Sequence, residues 1–322
     1  MTPQRLQELL NDLDRPTSAT FSIAVALRSP MAYFAIDSAG RPALLVETSS
    51  PATREVVRRG LRLQHRASCN VEIDGTTREI TASLVACESD DPNLQSAFVS
   101  ISEIVLSRLT AANESEVVSI LEELVELLER PGEPSREGAI GLFAELLVLY
   151  LSQNATQAVR SWRVTPSDRH DLVCGDGYIE VKASGTRDRR HLFSLEQFIV
   201  DSGKNAFVAS THVLEAAGGT SVRSLAARVK ERVAHDANLV MKVESALVAI
   251  MGLPNGGEAT FDEAYAATKL RWYDMKDLPA IRTVPSHIDQ VRFRVDLSSL
   301  PSLTVAEVAE RETSLLPCLP NG

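Results

Sequence analysis

Residues Ser161 to Phe198 read SWRVTPSDRHDLVCGDGYIEVKASGTRDRRHLFSLEQF, and this segment carries the clearest structural signals in the chain. Near its centre, Asp176-Gly177 is a strong two-residue turn signal between two segments with alternating apolar residues. This pattern predicts a β-hairpin whose strands are joined by a type I′ turn, with positive φ at both turn residues.

The register of this hairpin predicts which side chains share a face. Pairing outward from the turn places Asp171 opposite Lys182. Because side chains alternate along a strand, Asp171, Glu180 and Lys182 then share one face. The other face is apolar and consists of Leu172, Cys174, Ile179 and Val181. The sequence therefore predicts a half-buried hairpin that presents two carboxylates and an amine together.

Two carboxylates on one face repel each other unless a cation lies between them. A hard divalent cation such as Mg²⁺ suits oxygen ligands, few protein carboxylates, water and phosphate oxygen. Such a metal polarises a phosphoryl group and lowers the pKa of a bound water. Lys182 is placed to hold that water and to offset charge that builds on the phosphate. These residues favour metal-assisted phosphodiester hydrolysis.

The spacing of Asp171, eight intervening residues and then Glu180-Val181-Lys182 resembles the PD-(D/E)XK motif of restriction-endonuclease-like enzymes. More narrowly, the HD pair, IEVKAS and SLEQF resemble the bacterial PD-(D/E)XK motif proteins of unknown function that accompany restriction-modification and phage-defence genes. The wider resemblance covers roughly Ser135 to Ser210, and the narrower one most of the chain. His170 stands where many members have Pro, at a position that varies across the superfamily.

The resemblance implies a role for five residues. Asp171 and Glu180 would be metal ligands and Lys182 the catalytic lysine. Glu145, on the preceding apolar helix, matches an acid that lies at or beside the metal site. Gln197 matches a polar residue that positions a phosphate or a water. The implied cofactor is Mg²⁺, with Mn²⁺ as a substitute.

The loop after the catalytic strand is rich in basic residues. As a loop beside the metal site, it offers four candidate contacts to nucleic-acid phosphates: Arg187, Arg189, Arg190 and His191. An exposed charged turn without a ligand is the other interpretation. The net charge of −10 argues against a protein that coats nucleic acid indiscriminately.

Other interpretations of the motif stay open. Glu180-Val181-Lys182 is the only E-x-K triplet, because the chain has six lysines, and Asp274-Met275-Lys276 lacks flanking strand alternation. A solvated strand face with an Asp–Lys pair would give the same pattern. The main alternative function is a catalytically inactive nuclease-fold module for DNA binding or partner docking. The motif also leaves RNA open as the substrate.

Composition limits the class of protein. The 322 residues are 44% hydrophobic and 24% charged, which is typical of a globular chain. With neither a secretory signal nor an apolar run of membrane-spanning length, we expect a cytoplasmic protein. Four scattered cysteines predict neither zinc nor disulfides. No ATP-binding motif is visible, so an ATPase or a methyltransferase would be a separate partner. DNA is the expected substrate, and a homodimer would supply the two active sites that double-strand cutting usually takes.

The predicted fold class is α/β, with a restriction-endonuclease-like mixed sheet flanked by helices. The segment PGEPS, from Pro131 to Ser135, contains helix-breaking Pro and Gly and predicts the main domain boundary. We expect four segments: a β-rich N-terminal domain over 1–110, a helical connector over 111–134, the nuclease core over 135–255 and a strand-containing C-terminal extension over 256–322.

Overall fold

The computed structural model describes residues 8–10, 12–16, 20–28, 31–48, 55–73, 75–110, 112–129, 131–163, 169–254, 257–281, 283–288 and 290–321. The chain forms two compact units. The first contains Met1–Glu133 and Asp236–Gly256, and the second contains Pro134–His235 and Gly257–Gly322. Both helices and sheets are present, which confirms the α/β class.

The strands are β1 (Thr20–Arg28), β2 (Met31–Ile36), β3 (Pro42–Glu47), β4 (Val56–Arg58), β5 (Leu61–Ile73), β6 (Thr76–Cys87), β7 (Leu172–Cys174), β8 (Gly177–Ser184), β9 (Arg190–Ser194), β10 (Asn205–His212), β11 (Glu215–Ser221), β12 (Thr260–Phe261), β13 (Arg271–Asp274) and β14 (Arg292–Asp296). The helices are α1 (Pro92–Leu109), α2 (Glu114–Glu129), α3 (Arg136–Leu151), α4 (Ala155–Ser161), α5 (Val222–Arg232), α6 (Ala237–Met251), α7 (Glu263–Thr268) and α8 (Val305–Arg311).

The first unit contains a six-stranded sheet in the order β1-β2-β3-β6-β5-β4. Because β1 also pairs in parallel with β5, five of these strands form a closed ladder. Strands β5 and β6 form a hairpin in which Ile73 pairs with Thr76. Asp74 of its turn lies outside the described residues. One sheet face packs against α1, α2 and α6 through a single apolar cluster.

This packing corrects the predicted division of the chain. Helix α2, expected in a connector, has Leu121 and Leu124 fully buried in the core of the first unit. Helix α6, expected in the nuclease core, places Met241 and Val248 in that same cluster. Apolar residues spaced at helical intervals reveal a buried face but not which unit covers it.

The second unit contains a four-stranded mixed sheet in the order β13-β10-β8-β7. Strand β8 is central, because it pairs in parallel with β10 and antiparallel with β7. Helix α3 contacts β8 and begins after Ser135, whose side chain accepts a hydrogen bond from the Gly138 N–H at 3.0 Å. Strand β14, from the predicted C-terminal extension, pairs with β9 and so belongs to this unit. No helix within the described ranges combines the length and apolar character needed to cross a membrane.

Two glycines give opposite expectations for stability. A Cβ on Gly132 would lie 1.8 Å from the backbone oxygen of Ala249 in α6, whereas one on Gly141 in α3 would meet nothing within 4 Å. We expect Gly132→Ala to lower the free energy of unfolding by about 1–3 kcal/mol. Gly141→Ala, the control, should raise it by about 0.5–1 kcal/mol, since alanine favours helix. Chemical unfolding followed by circular dichroism measures both, and a neutral Gly132→Ala would contradict the docking of α6.

Candidate active site

Strand β8 carries an acid and an amine on the same side. Glu180 and Lys182 are two positions apart on the strand, and Glu180 Oε1 lies 2.7 Å from Lys182 Nζ. The Glu180 side chain is only 3% exposed, whereas that of Lys182 is 18% exposed. The pair is therefore a largely buried ion pair whose ammonium group still reaches solvent.

Asp171 lies immediately before β7 and is fixed to the adjacent strand. Its Oδ2 accepts a hydrogen bond of 2.7 Å from the backbone N–H of Val181. That amide lies between Glu180 and Lys182 in the chain, so the structure brings Asp171 beside both. The sequence predicted this grouping from strand alternation, but the contact is made by the side chain of Asp171 with the backbone.

The predicted register of the hairpin was wrong by two residues. Leu172 pairs with Ile179 and Cys174 with Gly177, so the loop is Gly175-Asp176. Gly175 has φ of +59°, which is the type II′ requirement at the first loop position. Gly177 is needed for a different reason, because a Cβ there would lie 2.3 Å from Leu315 Cγ. A shift of two residues keeps every side chain on its own face, so the acid and the amine stay together.

Glu145 extends from the apolar helix α3 and is held by a tryptophan. Its Oε2 accepts a hydrogen bond of 2.7 Å from Nε1 of Trp162, a fully buried residue. The sequence places Glu145 on an apolar helix but does not reveal Trp162 as its partner. The available signal was that a buried indole N–H requires an acceptor.

The three acids form one electrostatic cluster. Burial raises the pKa of Glu145 to about 7, with Glu180 adding to the rise and the Trp162 hydrogen bond and Lys182 opposing it. Burial also raises the pKa of Asp171 well above its usual value, reinforced by Glu180 and Glu145. Both carboxylates are therefore destabilised as anions by low solvation and by each other.

Gln197 also contacts the cluster. Its Nε2 donates a hydrogen bond of 2.5 Å to Glu180 Oε1, and its Oε1 accepts one of 3.0 Å from the Ser194 N–H. Gln197 lies on a short 3₁₀ turn, Leu195–Phe198, and holds the carboxylate of Glu180. Its expected role of positioning a phosphate or a water stays a prediction.

His170 is the residue whose surroundings the sequence did not predict. It is 4% exposed, and its ring stacks on that of Tyr178 with centroids 4.8 Å apart. Its Nδ1 lies 3.7 Å from Glu180 Oε2, which is too long for a hydrogen bond. Among the described residues, neither ring nitrogen of His170 has a hydrogen-bond partner.

The basic loop is divided between exposed and buried side chains. Arg187 and Arg190 are exposed, and Arg190 pairs with Asp296 at 3.1 Å. Arg189 is buried and donates to the backbone and side-chain oxygens of Ser210, both at 2.8 Å, and to the carbonyl of Lys269. His191, also buried, bonds Ser210 Oγ at 2.7 Å. The prediction that Arg189 and His191 contact nucleic acid is therefore wrong, because their polar groups are used inside the unit.

The donor chemistry of this cluster fits a hard cation. Glu180 Oε2 is buried and lacks a hydrogen-bond partner in the described part of the chain. Mg²⁺ is commonly held by one or two carboxylates, with water completing its shell, and Asp171 and Glu180 provide that number. No group of three or more His, Cys, Asp or Glu side chains among the described residues could hold a metal. Glu145 is held by Trp162, and its role as a ligand or a neighbouring acid stays a prediction.

Comparison with known proteins agrees with this geometry. The family model DUF4420, described as "Putative PD-(D/E)XK family member", matches residues 6–298. The chain therefore belongs to this PD-(D/E)XK nuclease-like family, as its motif predicted. No curated protein and no solved structure matches the chain.

The bond between Trp162 and Glu145 can be tested by stability. Trp162→Phe leaves a partly buried carboxylate without its donor, and we expect a loss of about 1–3 kcal/mol of unfolding free energy. Glu145→Gln keeps an oxygen acceptor and removes the anion, so it should raise that free energy. Urea unfolding in EDTA at neutral pH measures both. A neutral Trp162→Phe would show that the bond does not hold the acid.

His191 should make stability sensitive to acid. Burial first, then Lys182 and Arg189, lowers its pKa from 6.5 to about 3. The folded state thus favours the neutral ring. The stability that this neutral ring contributes is complete above pH 6.5 and is lost as the pH falls towards about 3. We expect His191→Asn to lose less stability than the wild type across this window, in urea unfolding at several pH values. His235→Asn, at an exposed histidine, is the control and should match the wild type.

Proposed function

We propose that the chain is a metal-dependent nuclease that hydrolyses phosphodiester bonds of DNA. The observation that carries this proposal is the buried ion pair of Glu180 and Lys182 beside Asp171, with one oxygen of Glu180 left without a donor. Membership of a PD-(D/E)XK nuclease-like family supports the same chemistry.

Asp171 and Glu180 are the residues that would hold the cation, Mg²⁺ or Mn²⁺. When bound there, the metal supplies Lewis-acid polarisation of the phosphoryl group and a water of lowered pKa. The protein contributes the fixed position of the two carboxylates. Val181 N–H holds Asp171, while Lys182 and Gln197 hold Oε1 of Glu180. The remaining oxygen, Oε2, stays available.

Lys182 is the electrostatic partner of the reaction. One contact of its ammonium group goes to Glu180 Oε1, and the group lies 5.0 Å from the centre of the Phe193 ring. An ammonium group has three donors, so others remain to hold a water and to stabilise charge that develops on the phosphate. The ring and the carboxylate fix the lysine before substrate arrives, which lowers the cost of reorganisation.

The fold and the setting are part of the proposal. Helix α3, the β7–β8 hairpin and the parallel strand β10 support a restriction-endonuclease-like core. A role in restriction or phage defence is supported by the resemblance to proteins that accompany such genes. In that setting, a second copy of the chain would cut the other strand, and a separate ATPase or methyltransferase would be a partner.

One observation favours the inactive module as a second candidate. Each acid already has a protein donor, and Lys182 neutralises the central one, so the cluster is tolerated without a metal. The net charge of −10 also disfavours strong DNA binding. This candidate predicts DNA or partner binding that Mg²⁺ does not change.

Plasmid cleavage tests the nuclease proposal. With Mg²⁺ or Mn²⁺, the wild type should nick or linearise the plasmid, and EDTA should stop it. We expect Lys182→Ala to lower the rate by about 10²–10³-fold, as for loss of one preorganised electrostatic group. Asp171→Asn and Glu180→Gln should fall to background, because each removes a carboxylate that would hold the cation.

Glu196→Gln is the matched control for Glu180→Gln. Glu196 is exposed on the same short turn as Gln197, and its substitution should leave cleavage unchanged. Equal cleavage by the wild type and Lys182→Ala would identify a contaminating nuclease and contradict the proposal. DNA binding without cleavage under any divalent metal would favour the inactive module.

A further inference from the structure

A small cavity of about 260 Å³ opens beside the acidic cluster. Two of the residues that line it are close in the chain to acids of the cluster. His170 precedes Asp171, and Tyr178 lies on β8 two residues before Glu180. The lining consists of Arg163, Arg169, His170, Val173, Tyr178 and Ile199. The cavity thus has cationic, polar and apolar groups, and one of them, His170, has its Nδ1 3.7 Å from Oε2 of the candidate ligand Glu180.

His170 indicates that a ligand belongs in this cavity. It is 4% exposed, and both of its ring nitrogens lack a partner among the described residues. A neutral imidazole has one N–H donor and one acceptor, and leaving such groups buried and unpaired is costly. The stacking of the ring on Tyr178 fixes its plane, so the unpaired nitrogens cannot readily turn to solvent. A bound group with polar oxygens would satisfy them.

The two arginines indicate the charge of that group. Arg163 and Arg169 are both exposed and line the same cavity. One nitrogen of Arg169, Nη1, donates to the carbonyl of Ile199 at 3.3 Å, which anchors the side chain and leaves other guanidinium donors for a ligand. The backbone N–H of Arg163 donates to the Asp171 carbonyl at 2.6 Å, which fixes this arginine next to the cluster. In a chain of net charge −10, two guanidinium groups beside an unpaired imidazole favour an anion.

We propose that this cavity binds a DNA phosphate adjacent to the phosphodiester that is hydrolysed. Arg163 and Arg169 neutralise its charge, and the N–H of His170 donates to one of its oxygens. Val173 and Ile199 give apolar walls that a deoxyribose can contact. The three polar residues are positioning residues, because they hold a neighbouring phosphate and thereby place the reacting one at Asp171 and Glu180. This inference rests on the proposed function for the identity of its ligand.

Oligonucleotide binding in EDTA tests the cavity without requiring cleavage. A fluorescein-labelled oligodeoxynucleotide is titrated with the full chain at several salt concentrations, and anisotropy gives Kd. Arg163→Ala and Arg169→Ala should each weaken binding and lower the slope of log K against log salt by about one, because each removes a phosphate contact. Arg58→Ala, at an exposed arginine that is paired with Glu129 in the first unit, is the control and should keep the slope.

His170 should show a different signature. His170→Phe keeps an aromatic ring to stack on Tyr178 but removes the hydrogen bond, and we expect about a tenfold weaker Kd with an unchanged salt slope. His170→Gln restores a donor and should recover part of the affinity. In cleavage assays the arginine variants should raise KM more than they lower kcat, since they remove binding that is present before the transition state.

The outcomes separate this inference from the proposed function. Cleavage by the wild type with unchanged Kd, salt slope and KM in all the cavity variants would overturn the inference alone. Binding with the expected variant pattern but no cleavage would support the cavity and overturn hydrolysis. Inorganic phosphate is titrated in parallel. If it binds this cavity while the oligonucleotide does not, the site takes a free anion and the DNA assignment fails.

Discussion

Repulsion among three neighbouring carboxylates, of which Glu180 is buried and Glu145 and Asp171 are partly buried, is the constraint that the second unit must satisfy. Burial and mutual repulsion disfavour the anionic forms of Glu145 and Asp171, as the raised pKa values of these two acids show. The fold tolerates the cluster because each acid accepts a bond from a donor fixed by the architecture: Trp162 for Glu145, the Val181 amide for Asp171, and Lys182 with Gln197 for Glu180. Removing any donor would leave a buried charge uncompensated, which is costly.

A protein core has no need of such a cluster, so its presence has a functional meaning. These donors leave some polar atoms of the site without a hydrogen bond. Glu180 Oε2 and both ring nitrogens of His170 have no partner among the described residues. These atoms lie at neighbouring positions, and each calls for a different ligand chemistry. The carboxylate oxygen suits a cation, and the imidazole beside two arginines suits a phosphate. A metal and a nucleic-acid strand would together complete what the protein leaves unsatisfied.

The sequence predicted local structure well because periodicity and turn residues are local signals. The hairpin of β7 and β8 and the boundary at Pro131 to Ser135 were both expected and are observed. The hairpin register was wrong because two glycines compete for the turn. Gly175 takes the positive φ, whereas Gly177 is needed for its close approach to Leu315, far away in the chain. Arg189 and His191 likewise form their hydrogen bonds with Ser210, a residue distant from them in the chain. Whether a charged loop residue points inward is a tertiary property that spacing does not encode.

The most direct test is whether Asp171 and Glu180 bind a divalent cation together. Mn²⁺ titration followed by electron paramagnetic resonance reports free metal without requiring substrate or turnover. The wild type should sequester Mn²⁺ at a saturable site, Mg²⁺ should compete for it, and both Asp171→Asn and Glu180→Gln should abolish it. Equal Mn²⁺ binding by the wild type and the two variants would place the metal elsewhere and contradict the account.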